Sequence, residues 1–261
     1  MYDLAALDFA LAGTVFAGKL HYSPVTDSTN SDAIDAARRV APHGSVYLAN
    51  EQLAGRGRGD HAWDSAAGEG LYVSVLLRPL LPAVRLPLLP LATGLAAAKA
   101  IRSAAGLSVD LRWPNDLLIG PKKVGGILVE SKTSGGSVDF VAAGVGINVH
   151  QQTFALDLAT PATSLELEAG RRVSRQDLLV FLLESLEREA LGLADPAAGS
   201  TIPARVEQAS TWIRGRKVEV HGPQACTGVT AGLDEHGFLR VRTTDGLITV
   251  QTGGIRAVEI S

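Results

Sequence analysis

Cysteine is almost absent from this chain, since Cys226 is the only one among 261 residues. An internal disulfide and a cysteine-based zinc cluster are therefore excluded, which fits a reducing compartment and predicts a cytoplasmic protein. The segment before Gly18 lacks a basic stretch followed by a long apolar core, so no signal peptide is predicted. Arg85 and three prolines interrupt the apolar run from Leu80 to Leu91, so no membrane span is expected there.

An excess of positive charge is also missing. The chain carries 24 lysines and arginines against 27 acidic residues, for a net charge of -3. No global basic field exists to attract nucleic acid, and we expect none as a partner. With 46% hydrophobic and 20% charged residues, the composition is that of an ordinary globular protein whose length allows one substantial domain and a small appendage.

Hydrophobic periodicity and turn residues predict strands that alternate with helices. Several strands are joined by hairpins, as at Ser134-Gly135-Gly136-Ser137, which indicates antiparallel pairing. This pattern predicts an α+β fold with a mixed, largely antiparallel sheet and helices on one side. Beyond residue 211, short alternating strands broken by glycines predict a small β-barrel. We therefore expect two domains, residues 1–211 and 212–261.

The predicted elements of the larger domain can be given by range. Strands are expected near 19–25, 45–50, 71–77, 109–113, 126–131 and 138–149. Helices are expected near 2–11, from the possible caps at 27–30 to about 40, and near 88–105, 174–193 and 203–210. The strands over 126–149 offer an edge through which two chains would pair, although Lys132 and Asp139 would equally blunt it.

Residues 55 to 63 read GRGRGDHAW and follow directly on an apolar strand pattern. Glycine lets the backbone approach a ligand, and each arginine presents a planar fork of donors that matches carboxylate or phosphate oxygens. Trp63 offers a flat face for a ring. A solvated surface turn is an equal alternative when this segment is judged alone, so the rest of the chain has to decide.

Three further segments could carry chemistry. Asn115 and Asp116 end a strand with an amide and a carboxylate, which suits Mg²⁺ or a nucleotide hydroxyl, although such residues after proline more often form turns. Lys122 and Lys123 precede a glycine pair and would reach phosphate or carboxylate, or would simply be solvated in a hairpin. The GVGIN stretch at 144–148 would border a nucleotide pocket or ease close packing.

Several standard catalytic motifs are missing from the sequence. There is no Walker A lysine motif, no complete GxGxxG fingerprint, no HExxH zinc pair and no GxSxG elbow. The six histidines are scattered singly and are more typical of surface or core positions than of metal ligands. Catalysis would therefore depend on arginine, lysine, backbone amides and a bound cation, which suits acyl or nucleotidyl transfer.

Five segments taken in order resemble the biotin protein ligase family: DSTN at 27–30, EQLAGRGR at 51–58, WPND at 113–116, KVGGILVE at 123–130 and GVGIN at 144–148. The likeness runs from Ser23 to Asn148 and continues more weakly, through the C-terminal glycine pattern, into the family's small SH3-like barrel. It implies a catalytic domain like that of class II aminoacyl-tRNA synthetases.

The resemblance also implies the reaction. The carboxylate of biotin attacks the α-phosphate of ATP to give biotinyl-5′-AMP and pyrophosphate, and a lysine of a biotin carboxyl carrier protein then takes the biotinyl group and releases AMP. Some relatives carry an N-terminal helix-turn-helix, but only 22 residues precede Ser23. We therefore expect no DNA-binding repressor function, which a DNA gel shift with biotin and ATP would check.

Site residues follow from the resemblance, position by position. Lys123, Arg58 and Asp116 are expected to be catalytic, with Lys123 offsetting the charge that develops between carboxylate and α-phosphate and Asp116 holding Mg²⁺. The residues expected to hold biotin are Ser28, Thr29, Gln52, Gly55, Arg56, Arg58, Lys123 and Gly126. Those expected to hold the nucleotide are Arg58, Trp63, Arg112, Asn115, Asp116, Lys123 and Asn148.

The sequence departs from the family at two places. Asp60 and His61 stand where many members have Gly-Arg, so the loop has less positive charge to retain the intermediate. The ending GGIRAVE at 253–259 lacks the family's Ser-Leu-Arg, and Arg256 is the candidate substitute.

Two other functions stay open at this point. A ligase or transferase for lipoate or octanoate would share the fold, although the glycine-arginine loop favours biotin. An RNA-binding module would use Arg56 and Arg58 with Trp63 as a stacking platform, although the net negative charge argues against it.

Overall fold

In the computed structural model, residues 2–59, 61–79, 81–195 and 200–258 are described. The larger of two sheets has seven strands in the order β1-β2-β3-β7-β6-β5-β4. Only β1 and β2 run parallel, and every other neighbouring pair is antiparallel. The strands are β1 Leu20–Thr26, β2 Ser45–Gln52, β3 Gly70–Leu77, β4 Asp110–Arg112, β5 Asp116–Ile119, β6 Lys122–Ser134 and β7 Ser137–Asn148. The predicted mixed, largely antiparallel sheet is confirmed.

The helices bury this sheet and lie where periodicity placed most of them. They are α1 Leu4–Ala10, α2 Thr29–Arg38, α3 Leu88–Ala105, α4 Leu165–Ala169, α5 Arg175–Ala194 and α6 Ile202–Gln208. The Ser174 side chain accepts the N–H of Asp177 at the start of α5, as the capping box predicts. The helix α3 ends at Gly106, whose φ of 76° is the left-handed conformation that favours glycine.

Both faces of the sheet are covered, because β3 is buried along its whole length. Residues 71, 73, 75 and 77 point into the main core with α3 and α5, while Leu76 on the other face packs against Ala37 of α2 and Phe140. The prediction that the helices lie on one side is therefore wrong for α2. A strand apolar at nearly every position, as β3 is, needs partners on both faces.

The C-terminal strands form a second, antiparallel sheet in the order β11-β10-β9-β8-β12. They are β8 Arg214–His221, β9 Cys226–Leu233, β10 Leu239–Thr243, β11 Gly246–Val250 and β12 Gly254–Ala257. The terminal strands β11 and β12 are not paired with each other, so among the described residues this is an open sheet. The expected closed barrel is not confirmed.

Two other expectations need correction. Pro114, Asn115 and Asp116 were interpreted as a turn with no strand after it, yet β5 begins at Asp116 and pairs with both β4 and β6. The strands over 126–149 form an edge only in part, because β7 lies between β6 and β3, whereas β6 is paired with β5 only as far as Gly126 and, among the described residues, has β7 as its one strand partner beyond that residue. Pairing of two chains through this part of β6 stays a prediction, and β1 and β4 are the outer edges of the sheet. No helix in the described part of the chain has the length and apolarity needed to cross a bilayer.

Candidate active site

One cleft of about 700 Å³ opens over the face of the large sheet that also carries α2. The volume suits a drug-sized ligand. The C-terminal sheet forms one wall of the cleft through Thr252, Gly253 and Arg256. Of the thirteen residues that sequence reasoning assigned to a site, twelve line this cleft: Ser28, Thr29, Gln52, Arg56, Arg58, Trp63, Arg112, Asn115, Asp116, Lys123, Gly126 and Asn148.

The thirteenth residue, Gly55, lies at the stem of the glycine-arginine loop rather than in the cleft wall. Its carbonyl accepts the Trp63 N–H at 2.8 Å, and Gly57 donates to the His61 carbonyl at 2.6 Å. A Cβ at Gly55 would lie 2.7 Å from the Ser65 hydroxyl, so only glycine fits here. The loop is therefore folded back on itself as a hairpin; Asp60 lies outside the described residues.

Arg58 reaches from this loop to the C-terminal sheet. Its guanidinium donates to the Gly253 carbonyl and, at 2.9 Å, to the Thr252 hydroxyl. Burial lowers the pKa of Arg58, an effect that the nearby Asp116 carboxylate partly offsets. Arg58 thus joins the glycine-arginine loop to the C-terminal sheet across the cleft through hydrogen bonds to two neutral oxygens.

A compact charge cluster faces the loop from β4, β5 and β6. Asp116 accepts from Lys123 Nζ at 2.6 Å through one carboxylate oxygen and from Arg112 Nη2 at 2.6 Å through the other. Burial alone would raise the pKa of Asp116, but the charges of Lys123 and Arg112 outweigh it and hold that pKa below its ordinary value. The Arg112 guanidinium is fixed further by Trp212, whose ring centre is 5.3 Å away.

The charge balance of the cleft favours an anionic ligand. Among its described lining residues, five are lysine or arginine and only two, Asp64 and Asp116, are acidic. Because a narrow cleft with a surplus of one sign concentrates oppositely charged solutes, carboxylates and phosphates are the groups it would attract.

The residues present do not fit a bound Mg²⁺ at Asp116. Both of its oxygens are already taken by cations, and the described residues contain no group of three or more His, Cys, Asp or Glu side chains placed to share a metal. Mg²⁺ requires several oxygen ligands, and here it would have to displace Lys123 or Arg112. No step below is therefore derived through a metal.

Asn115 and Asn148, which were expected to hold the nucleotide, donate hydrogen bonds from their side-chain amides to the main chain. Asn115 Nδ2 donates to the Ile127 carbonyl at 2.8 Å, and Asn148 Nδ2 donates to the Thr163 carbonyl at 3.0 Å. Each side chain therefore ties a loop to the end of a strand beside the cleft. Each bond uses one of the two amide protons, so both residues position backbone beside the cleft and keep a second donor.

The floor of the cleft is made of glycine. A Cβ at Gly146 would lie 2.6 Å from Trp63 Nε1, and one at Gly126 would lie 3.3 Å from the same ring. The indole therefore rests on bare backbone, with Lys123 Nζ 5.4 Å from its centre. Its Nε1 is buried against Gly146 and has no hydrogen-bond partner among the described residues.

Sequence reasoning missed several polar residues of the floor. Asn30, Tyr72 and Ser74 line the cleft, and Glu130 contacts Arg56 beside it. Tyr72 and Ser74 lie in a strand that looks uniformly apolar, so only its pairing with β7 shows which of its residues face the ligand. Asn30 and Glu130 do occur within the quoted motifs, but nothing in their spacing indicates that they meet.

The fold and this cleft define a protein that binds an anionic small molecule over a mixed sheet. Residues 22–148 match the model of the biotin/lipoate A/B protein ligase family. A biotin–[acetyl-CoA-carboxylase] ligase of Paracoccus denitrificans is 34% identical over 85% of this chain and 93% of its own length. The bifunctional ligase/repressor BirA of Bacillus subtilis is 33% identical over 95% of this chain and 76% of its own length.

Solved structures agree with these relatives. The biotin protein ligase from Aquifex aeolicus, in complex with biotin and ATP, superposes with a TM-score of 0.79 at 28% identity, covering 92% of this chain and 100% of that one. The chain belongs to the biotin protein ligase family. The enzyme class that the five sequence segments predicted is thereby confirmed.

Proposed function

We propose that this chain activates biotin with ATP and transfers it to a lysine of a biotin carboxyl carrier protein. In the first step a carboxylate oxygen of biotin bonds to the α-phosphorus, and the bond to the β-phosphate oxygen breaks and releases pyrophosphate. In the second step the neutral amine of the carrier lysine bonds to the acyl carbon, AMP leaves with the electrons of the C–O bond, and the amine gives up a proton to solvent.

The observation that carries this proposal is the polarity of the cleft. One end has the neutral hydrogen-bonding groups of Ser28, Thr29 and Gln52, and the other has Lys123, Arg112 and Arg58. An acid with a neutral polar head and a carboxylate tail would lie along it, with the carboxylate and the triphosphate among the cations. Lys123 would then stabilise the charge that builds up where the two substrates react.

Asp116 has a positioning role in this proposal. It holds the Lys123 ammonium and the Arg112 guanidinium side by side at 2.6 Å each, although like charges would otherwise repel. Trp63 would stack on the adenine from its place over Gly126 and Gly146. The magnesium requirement stays a prediction from the family resemblance.

Several finer statements stay predictions as well. They are the division into residues 1–211 and 212–261, the SH3-like character of the second domain, the cytoplasmic location and the lack of a nucleic-acid partner. Dimerisation by strand pairing would use β1, β4 or the part of β6 beyond Gly126, which is paired with β7 alone among the described residues. Sedimentation at several concentrations measures it.

The first test is biotin-dependent exchange of pyrophosphate into ATP by the purified chain with magnesium, compared with lipoate, octanoate and no acid. Exchange with biotin alone, followed by biotinylation of a carrier domain, is the expected result. Exchange with lipoate would move the chain to the sister ligases of the matched family, and exchange with no acid at all would contradict the proposal.

A further inference from the structure

A continuous chain of hydrogen bonds runs beneath the cleft between the two ends of the glycine-arginine loop. At one end, the Arg56 guanidinium donates to both oxygens of Glu130, at 3.0 and 2.7 Å. At the other end, the Ser65 hydroxyl donates to the Trp63 carbonyl at 3.1 Å and accepts from Gln52 Nε2 at 2.7 Å. The middle of the chain passes through buried side chains of α2 and β3.

The direction of these bonds is set at Glu130. A carboxylate only accepts, so the group of Asn30 that lies 2.8 Å from Glu130 Oε2 must be its NH₂. The same NH₂ also faces the Leu128 carbonyl at 3.2 Å, which is a second acceptor. Asn30 Oδ1 therefore points the other way, 2.6 Å from the hydroxyl of Ser74. Asn30 is 3% exposed, so its amide is shielded from solvent, whereas the Glu130 side chain at the end of the chain of bonds is partly exposed.

The bond from Ser74 to Asn30 also decides which hydroxyl donates in the hydrogen bond between Ser74 and Thr29. The one proton of Ser74 is donated to Asn30, so its oxygen can only accept from the Thr29 hydroxyl, 2.8 Å away. Gln52 Oε1, which accepts the Thr29 backbone N–H at 2.9 Å, lies 3.1 Å from that hydroxyl, but a proton directed there would leave the Thr29 and Ser74 oxygens 2.8 Å apart with no proton between them. The single hydroxyl proton of Thr29 is thus committed to Ser74. What Thr29 presents to the cleft is a lone pair.

A ligand that binds beside Thr29 must therefore bring a donor. Hydroxyl groups usually rotate to suit either kind of partner, but this one is fixed by a buried chain that ends on a carboxylate. The ureido ring of biotin carries two N–H groups, which are donors of the required kind. An acid without such a group would leave the Thr29 oxygen desolvated and unpaired, at a cost in affinity.

We propose that Glu130 is a positioning residue of the biotin site, acting through Asn30 and Ser74 on Thr29 and through Arg56 on the loop. The proposal rests on the proposed function, because it names the ureido group as the donor. Together with the Leu128 carbonyl, Glu130 makes Thr29 an acceptor, and at the same time it anchors the glycine-arginine loop through Arg56. Recognition of the biotin head and placement of the loop therefore both depend on the carboxylate of Glu130.

The test compares Glu130→Gln and Ser74→Ala with the wild-type chain. Glu130→Gln weakens the anchor of Arg56 and removes the carboxylate that fixes the direction of the chain, whereas Ser74→Ala breaks the chain and leaves the Arg56 pair intact. The matched control is Glu189→Gln, which weakens another two-bond pair with an arginine, Arg205, away from the cleft.

Three quantities are measured for each protein. They are the KM and kcat of biotin-dependent pyrophosphate exchange, the preference for biotin over biotin methylated at one ureido nitrogen, and the rate of trypsin cleavage after Arg58 without ligands. We expect both variants to raise the KM for biotin about tenfold, with kcat and the KM for ATP changing much less. The preference for biotin should fall at least threefold, about the effect expected of a weakened hydrogen bond. Only Glu130→Gln should speed trypsin cleavage.

The outcomes distinguish a failure of the proposed function from a failure of the role proposed for Glu130. A wild-type chain without biotin-dependent exchange would overturn the proposed function, and the trypsin arm would still report on the anchor. Wild-type exchange together with an unchanged KM, preference and cleavage rate in Glu130→Gln would overturn the inference. If Glu130→Gln does not fold, Ser74→Ala tests the inference by itself. An unchanged KM for biotin and an unchanged preference for biotin in Ser74→Ala would show that the hydrogen-bond chain does not act on Thr29.

Discussion

The two faces of the central sheet are made by the same strands and differ completely. On the face toward α3 and α5, Leu71 and Val73 of β3 lie opposite Ile147 and Val145 of β7. On the other face the same two strands place a tyrosine and a serine opposite two glycines. One face is filled with branched apolar side chains, and the other leaves its backbone bare.

This difference shows how a single sheet separates stability from binding. Apolar pairs across β3 and β7 bury surface and stabilise the fold, while glycines on the reverse side lower the floor so that Trp63 and a ligand can rest on it. Because side chains alternate along a strand, each function takes every second residue. Substitutions on one face should therefore change activity, and those on the other should change stability.

The strongest effect on the cleft side is expected from Lys123→Gln. Losing the ammonium beside Asp116 should lower the rate of pyrophosphate exchange by about 100-fold to 1000-fold, since a preorganised charge at the reacting centre is lost. Lys122→Gln is the matched control, because this neighbouring lysine contacts Glu168 outside the cleft at 3.1 Å. Equal rates for the two variants would show that Lys123 has no special role.

A substitution on the core face of the sheet should lower the stability of the fold rather than the activity. Leu71 is fully buried, and Leu71→Ala is expected to cost about 2 to 5 kcal/mol of the free energy of unfolding, measured with urea. The exposed Leu247 provides the control, since Leu247→Ala removes the same atoms from the surface. The comparison of the faces would break down if Leu71→Ala lowered the exchange rate of the folded enzyme without lowering its stability.

A single methyl group tests the glycine floor. The Cβ of Gly146→Ala would lie 2.6 Å from Trp63 Nε1, so the indole must shift, and we expect the KM values of biotin or ATP to rise about tenfold with little change in urea stability. At Gly13 a Cβ would meet nothing within 4 Å, so Gly13→Ala should leave both quantities unchanged. A fully active Gly146→Ala enzyme would mean that the floor tolerates side chains.

The smallest effect concerns His43, which belongs to neither face. Burial, with the charges of Lys19 and Arg78, lowers the pKa of His43 below its ordinary 6.5. The unfolded chain then binds the proton first, so the stability from neutral His43 is complete above pH 6.5 and is lost as the pH falls through the folded pKa. Melting temperatures between pH 7.5 and 5.5 should fall less for His43→Gln; parallel curves would exclude this linkage.

How far the sequence predicted the fold depended on the kind of signal. The helix α3 was expected at 88–105 and is found there, because its leucine and alanine pattern ends at a glycine in the left-handed conformation. The hairpin turn Ser134-Gly135-Gly136-Ser137 was also correct, with both glycines at positive φ. The strand β5 was missed, since Pro114 and Asn115 give a turn signal and only pairing with β4 and β6 reveals the strand.

The same limit applies to the cleft. Twelve of the thirteen expected residues line it, and all but Arg112, which directly precedes WPND, belong to a local motif that the sequence displays. Glu130 was visible only as the last residue of KVGGILVE, and Asn30 as the last of DSTN. Their contact at 2.8 Å depends on the packing of α2 over β6, for which no local pattern exists.

The sequence by itself determined the chemical groups, since cysteine scarcity, the glycine-arginine loop and the paired lysines excluded some chemistries and favoured one family. It also determined most helices and strands, because periodicity and turn residues act over a few neighbouring positions. Only the tertiary structure decided which face of β3 and β7 binds, that Asp116 is held by two cations, and that Thr29 presents an acceptor. Those properties arise from contacts between residues far apart in the chain, and register and packing alone set them.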